Sequence, residues 1–171
     1  MRRSQTKSSN QEYKENKNEQ LDSNNLGESF SHAIEGIIES IISERNLRVH
    51  FLIGLIVLST TLFLPVPRED LLWLVFAVFF VIWSELINTM VEYMMNLYTQ
   101  EYHPIVRIIK DVSAGVVLWA ALFSVTVGIV VFGGLLFDWS LEVAKIFAII
   151  STVVFPVFSI KRAVGNWKRK Q

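Results

Sequence analysis

Residues 71–98 read LLWLVFAVFFVIWSELINTMVEYMMNLY. The first thirteen positions hold only aliphatic, aromatic and alanine side chains, the composition of a segment that sits in hydrocarbon. The second half keeps a helical period but carries Glu85, Asn88 and Glu92 at i, i+3 and i+7. At 3.6 residues per turn these three fall within about 60° of one another, on one helix face, and Asn96 prolongs the stripe. Counted from Leu71 at about 1.5 Å per residue, Glu85 lies about 21 Å along the helix and Glu92 about 31 Å. A hydrocarbon core is about 30 Å thick, so Glu92 emerges at one boundary and Glu85 stays about two turns inside. An ionised carboxylate at mid-bilayer costs about 2.5 to 3.5 kcal/mol on insertion scales, so the stripe requires a reason.

On either side of this stretch the chain repeats the apolar theme. Residues 49–65 form a first span of about 17 residues, near the lower limit for crossing. Pro65, Pro67, Arg68, Glu69 and Asp70 make the tight connection into the second. Residues 112–137 are long enough to cross with tilt. Asp138, Trp139 and Ser140 turn the chain into a fourth apolar run at 141–160, interrupted by Pro156. Upstream, Phe30, Ala33, Ile34, Ile37, Ile38, Ile41 and Ile42 recur at helical steps opposite His32, Glu35, Glu39 and Ser43. That pattern predicts an amphipathic helix over 29–47 lying in the membrane interface. Residues 1–28 are dominated by Ser, Asn, Gln, Lys and Glu and are read as a disordered polar tail, with no apolar stretch after Arg2 and Arg3 to make a signal peptide.

The expected fold class is therefore an all-α membrane protein: an interfacial helix, three core transmembrane helices and an additional C-terminal one. The domain reading is 1–28 tail, 29–137 membrane core, and 138–171 extra span with a basic tail. The 171 residues include no cysteine, which removes thiol nucleophiles, Cys-based zinc sites and disulfide scaffolds. Sixteen Lys+Arg balance sixteen Asp+Glu, which argues against a nucleic-acid partner held by bulk charge.

Basic residues set the orientation. Seven precede the first span (Arg2, Arg3, Lys7, Lys14, Lys17, Arg45, Arg48), and five follow the last (Lys161, Arg162, Lys168, Arg169, Lys170). The connection after the first span has only Arg68, and the one after the second has Arg107 and Lys110. Four spans then place both termini and the 98–111 connection in the cytoplasm of a multi-pass protein of the cytoplasmic membrane.

Two readings of the stripe stand side by side. Asn88 and the carboxylates can act as helix–helix hydrogen-bonding glue. Alternatively, two carboxylates and an amide, the outermost at the water boundary, can hold a cation through oxygen ligands. Glu44 and Arg48, i and i+4 at the end of the amphipathic helix, belong to the same boundary, as do His103, Lys110 and Asp111. An acidic cluster with nearby cations at headgroup level is suited to Mg²⁺ and phosphates. A deeper carboxylate is suited to taking a proton from a lipid hydroxyl. No Walker A or kinase-type glycine loop is present, which excludes a soluble kinase fold as the source of that chemistry.

Four segments, SFSHAIEGI (29–37), ERNLRVH (44–50), ELINTMVE (85–92) and EYHPIVRIIKDVSAGVVL (101–118), together resemble the prokaryotic diacylglycerol kinase family. These are small membrane lipid kinases that include the undecaprenol kinases, and His50 at the end of ERNLRVH looks more like that branch. The resemblance covers 29–137 and implies an ATP- and Mg²⁺-dependent kinase acting on the hydroxyl of undecaprenol or diacylglycerol. It also implies a homotrimer of three-span protomers with shared active sites. By position, Glu85 matches the catalytic base, and Glu44 and Glu92 match metal-binding carboxylates. His32, Glu44, Glu92, Glu101, Tyr102, His103, Lys110 and Asp111 match nucleotide-binding segments. Arg48, Asn88 and Asn96 match substrate-binding or supporting positions. Asn96 departs from the family's usual Asp, and Met90 replaces the usual Ala, a bulkier side chain expected beside the site. The competing reading is a catalytically degenerate relative that serves as a non-enzymatic membrane protein.

Overall fold

The structure is a computed structural model, and it describes residues 26–154 together with 156, 157, 160 and 161. The polar tail over 1–25 and the carboxyl-terminal Arg162, Trp167, Lys168, Arg169 and Lys170, like Ser159, lie outside the described residues. Every regular element among the described residues is helical. The chain divides into two compact units, Met1–Ser43 and Glu44–Gln171.

The first unit contributes one helix, α1 (Leu26–Ser43). The predicted amphipathic period is present, but the helix stops four residues short of the expected 47. Glu44 is extended, at φ −97° and ψ 116°. Two causes converge at that break. The Ser40 hydroxyl bonds back to the Gly36 carbonyl at 2.8 Å and the Ser43 hydroxyl to that of Ser40 at 3.3 Å, an alternative to helical continuation. Leu47, assigned by periodicity to this helix, is instead fully buried in the second unit. Burying a Leu side chain is worth about 1.5 to 3 kcal/mol. The apolar face of α1, with Phe30, Ile34, Ile37, Ile38 and Ile42, is exposed.

The second unit begins with α2 (Arg45–Thr60). It starts before the expected span and ends five residues before it. Thr60 and Thr61 tie their hydroxyls to the carbonyls of Val57 and Leu58 at 2.6 and 2.7 Å, and Pro65 then disfavours helix at residue 64. Sixteen residues span about 24 Å, less than a bilayer core. Next come α3 (Arg68–Tyr98) and α4 (Pro104–Phe137), with 31 and 34 residues, hence about 46 and 51 Å long. Glu69 and Asp70 occupy the first turn of α3, where the helix dipole favours anions. The expected third span began at 112, but α4 starts at Pro104, whose fixed φ suits the first helical position. Arg107, Lys110 and Asp111 therefore stand on a helix rather than in a loop, and only residues 99–103 connect α3 to α4.

Consecutive helices pack as neighbours: α2 on α3, α3 on α4 and α4 on α5 (Leu141–Ile149). The seam of α3 buries Leu74, Ala77, Val81, Ser84 and Asn88, alternating three- and four-residue steps. Gly54 lets α2 approach closely, since a Cβ there would stand 2.6 Å from Val78 Cγ1. Ser124 reaches from α4 to the Ala77 carbonyl at 2.8 Å. Trp73, Phe76, Phe80, Trp83 and Phe123 form a chain of stacked and edge-on rings beside that contact.

At the end of α4, Asp138 adopts the left-handed conformation with φ 48°, and the Trp139 N–H caps the Gly133 carbonyl at 3.4 Å. The Trp139 ring lies where a Gly133 side chain would be. After α5 the chain passes through a π-helical turn, Ile150–Val154, within the predicted fourth span. There the Ser151 hydroxyl bonds back to the Phe147 carbonyl, and it also accepts from the Thr126 hydroxyl of α4 at 2.8 Å.

Two helices, α3 and α4, are long and apolar enough to cross a membrane. Less than a third of the most apolar stretch of either is buried, and Leu72, Phe79, Trp83, Leu118 and Trp119 are exposed. Lipid is the medium that tolerates such a surface.

Candidate functional site

The polar half of α3 faces α4, and the two are joined by a ladder of side chains. Asn88 donates from Nδ2 to Glu92 Oε1 at 3.0 Å and accepts on Oδ1 from the Ser113 hydroxyl at 2.7 Å. One turn toward the end of α3, the Lys110 ammonium donates to Asn96 Oδ1 at 2.8 Å. Deeper, the Thr89 hydroxyl donates to the Glu85 carbonyl and the Ser84 hydroxyl to that of Val81, so two buried hydroxyls are satisfied within their own helix.

Glu85 sits at the inner end of this ladder. It is only 2% exposed, and its Oε1 has no hydrogen-bond partner. His50 Nε2 of α2 lies 3.2 Å from that oxygen, within ion-pair distance but without the alignment of a hydrogen bond. The charges of Glu44 and Glu92 each reach Glu85. Glu44 is half-buried at the break before α2, so the same backbone kink that buries Leu47 brings this carboxylate toward the stripe.

The remaining sequence candidates divide by location. Glu101 and Tyr102 are exposed on the connection between α3 and α4, where the Glu101 N–H is held by the Thr99 hydroxyl at 3.1 Å. His103 caps α4, stands edge-on to the Tyr98 ring, and buries an Nδ1 that has no hydrogen-bond partner. The two buried side-chain atoms without a partner among the described residues thus belong to Glu85 and His103, both selected from the sequence. Lys110 and Asp111 do not pair with each other: Lys110 goes to Asn96, and Asp111 goes to Arg107 at 3.5 Å on the exposed side of α4. Arg48 follows Glu44 by one turn at the start of α2 and donates its backbone N–H to the Glu44 carbonyl. His32, in the first unit, is exposed and paired with Glu35 at 3.3 Å. Met90, expected beside the site, is half exposed on another face of α3, so its bulk does not intrude on the stripe.

Among the described residues no group of three or more His, Asp or Glu side chains is arranged to hold a metal ion on its own. Mg²⁺ asks for less than such a group, being commonly bound by one or two carboxylates with phosphate oxygens and water completing its shell. Sequence reasoning missed two residues. Ser113 could have been found from its i+3 spacing to Lys110, which places it on the same face. His50 was visible as an ionisable group inside an apolar run, which by itself marks a site. Its partner depended on the packing of α2 on α3.

Comparison with known proteins now bears on this geometry. The profile of the family described as prokaryotic diacylglycerol kinase matches residues 31–132, more than half of the chain. A protein from Synechocystis sp. named diacylglycerol kinase is 34% identical over 105 residues, 61% of this chain and 60% of that relative. The Bacillus subtilis protein named undecaprenol kinase is 31% identical over 113 residues, 64% of this chain and 89% of that relative. The match thus spans less than two thirds of the cyanobacterial relative's length and nearly all of the other's. The matched region holds α2, α3, most of α4 and every element of the ladder, whereas α5 falls outside it. The chain belongs to the prokaryotic diacylglycerol kinase family.

Proposed function

We propose that the protein is an ATP- and Mg²⁺-dependent lipid kinase of the cytoplasmic membrane. It transfers the γ-phosphoryl group of ATP to the hydroxyl of a membrane lipid alcohol, undecaprenol or diacylglycerol. The observation that carries this reading is the buried Glu85 carboxylate with an unpartnered oxygen, set in an apolar helix and flanked by Glu44 and Glu92. A carboxylate so placed is costly unless it has work to do.

In this reading Glu85 accepts the proton of the lipid hydroxyl as that oxygen bonds to the γ-phosphorus, and the bond to the ADP oxygen breaks. Glu44 and Glu92 hold Mg²⁺, which when bound neutralises the phosphate oxygens. Asn88 fixes one Glu92 oxygen, leaving the other for the metal. Lys110 is held by a neutral amide, so its charge remains available to a phosphate. Asn96, in place of the usual Asp, therefore positions this lysine without neutralising it. His32, Glu101, Tyr102, His103 and Asp111 serve the nucleotide, and Arg48 stands near the lipid.

The same reading takes residues 29–137 as the kinase core and 138–171 as an added span with a basic tail. Four crossings, counting α2 and the α5 segment, put both termini and the 99–103 connection in the cytoplasm, as the Lys/Arg distribution favours. The exposed apolar faces of a single chain suit a homotrimer in which neighbours complete each site. The test is a radiolabelled ATP assay with purified protein against a panel of lipid alcohols. Phosphorylation of at least one alcohol by the parent, lost in Glu85→Gln, is expected. A parent that phosphorylates none of them ends the proposal.

A further inference from the structure

Beside the stripe, α2, α3 and α4 enclose an apolar groove of about 180 Å³ whose wall includes His50, Gly54, Leu74, Ala77, Val81 and Ser124. His50 is the one ionisable residue of that lining, and its ring spans from the groove to the buried Glu85 carboxylate, with Nε2 at 3.2 Å from Oε1. An imidazole that presents Nε2–H to a carboxylate is a donor, either as the cation or as the neutral tautomer with Nδ1 free. Oε1 has no hydrogen-bond partner, and a buried carboxylate oxygen left unmet is costly.

We propose that His50 is a positioning residue for Glu85. A small rotation of its ring closes the hydrogen bond to Oε1 and holds the carboxylate in one orientation at the end of the apolar groove. This rests on the reading of Glu85 as the base. It assigns His50 a task that the stripe on α3 cannot perform for itself, because Asn88 is already committed to Glu92 and Ser113. Thr89 and Ser84 are likewise committed to main-chain carbonyls. The carboxylates whose charges reach Glu85 are Glu44, at the start of α2, and Glu92, on α3.

The test uses the purified full chain in detergent and two readouts. Ring-¹⁵N labelling of its three histidines, His32, His50 and His103, gives signals assignable by single His→Gln variants. Glu85→Gln should change the His50 ring signal and leave the His32 signal in place; an unchanged His50 signal overturns the contact. In turnover assays across pH, His50→Phe should lower kcat about 10- to 100-fold, the worth of one hydrogen bond to a charged group. KM for ATP should stay within about twofold. His50→Gln, whose amide still donates, should recover most of kcat but with an altered acid limb in the pH profile. An inactive Glu85→Gln together with a fully active His50→Phe overturns the role of His50 alone. A fully active Glu85→Gln overturns the base reading and this proposal with it. Where His50→Phe does not fold, His50→Gln and the labelled spectra carry the same decision.

Discussion

The two halves of α3 solve the same packing problem by opposite means. Between Leu71 and Trp83 the helix meets its neighbours with small and aromatic side chains: Gly54 against Val78, Ala77 beneath Ser124, and a run of edge-on and stacked rings from Trp73 to Trp83. Between Ser84 and Asn96 it meets α4 through Asn88, Glu92, Asn96, Lys110 and Ser113. Both halves are packed interfaces, but only the second contains a buried carboxylate with an oxygen that has no hydrogen-bond partner. Interhelical packing in a membrane works through close approach and modest hydrogen bonds, so the first half shows what stability alone asks of this helix. The second half departs from that solution at a stability cost, and function is where such departures concentrate.

The sharpest way to break this contrast is at Glu85. Glu85→Gln should lower phosphoryl transfer by about 10²- to 10⁴-fold, the range of general-base catalysis, while nucleotide binding persists. Its thermal unfolding midpoint should stay level or rise, because the amide removes a buried charge. A variant that loses stability as well as activity would make Glu85 a structural residue and dissolve the distinction between the halves.

The apolar half should respond in the opposite sense. Gly54→Leu forces side-chain atoms into Val78 and should destabilise the folded state by about 1 to 3 kcal/mol, with turnover per folded molecule reduced far less than in Glu85→Gln. Denaturation in detergent, scored beside turnover, checks both parts. Unaltered stability would mean that α2 and α3 do not approach at this point.

Intermediate effects are expected along the ladder. Glu92→Gln and Glu44→Gln should each raise the Mg²⁺ concentration for half-maximal activity, since each removes an anionic oxygen ligand. If both keep the parent's metal dependence, the metal site has been placed on the wrong carboxylates.

The smallest effect compares two serines. Ser124→Ala removes a contact to the Ala77 carbonyl and should cost about 0.6 kcal/mol of stability with no kinetic change. Ser113→Ala frees Asn88 Oδ1 and should cost a similar amount, but it should also shift the Mg²⁺ dependence through Glu92. Identical behaviour of the two variants would show that the ladder is packing and nothing more.

Much of this was legible in the residues themselves. The run from Leu71 to Tyr98 announced a helix, its polar stripe followed from the helical period, and the family segments marked Glu85, Asn88 and Glu92 together. The start of α4 was misjudged because Arg107, Lys110 and Asp111 resemble a loop, although Pro104 is a good first residue for a helix. The break at Glu44 was invisible because no glycine or proline marks it; the isoleucine period runs smoothly into Leu47, and the chain bends through the Ser40 and Ser43 hydroxyl bonds and the burial of Leu47.

What the sequence by itself determined are the local properties: which segments are apolar enough for lipid, which face of α3 is polar, and how deep Glu85 lies. Each depends on spacing within one helix, and the period of 3.6 residues makes such spacing readable. What only the tertiary structure decided are the partners. His50 meets Glu85, Ser113 meets Asn88 and Lys110 meets Asn96 because the short turns between α2, α3 and α4 fold them back at particular registers. That register comes from where a missing Cβ at Gly54 allows close approach and where Ser124 finds a carbonyl. These are contacts between residues distant in the chain, and no period within a single helix encodes them.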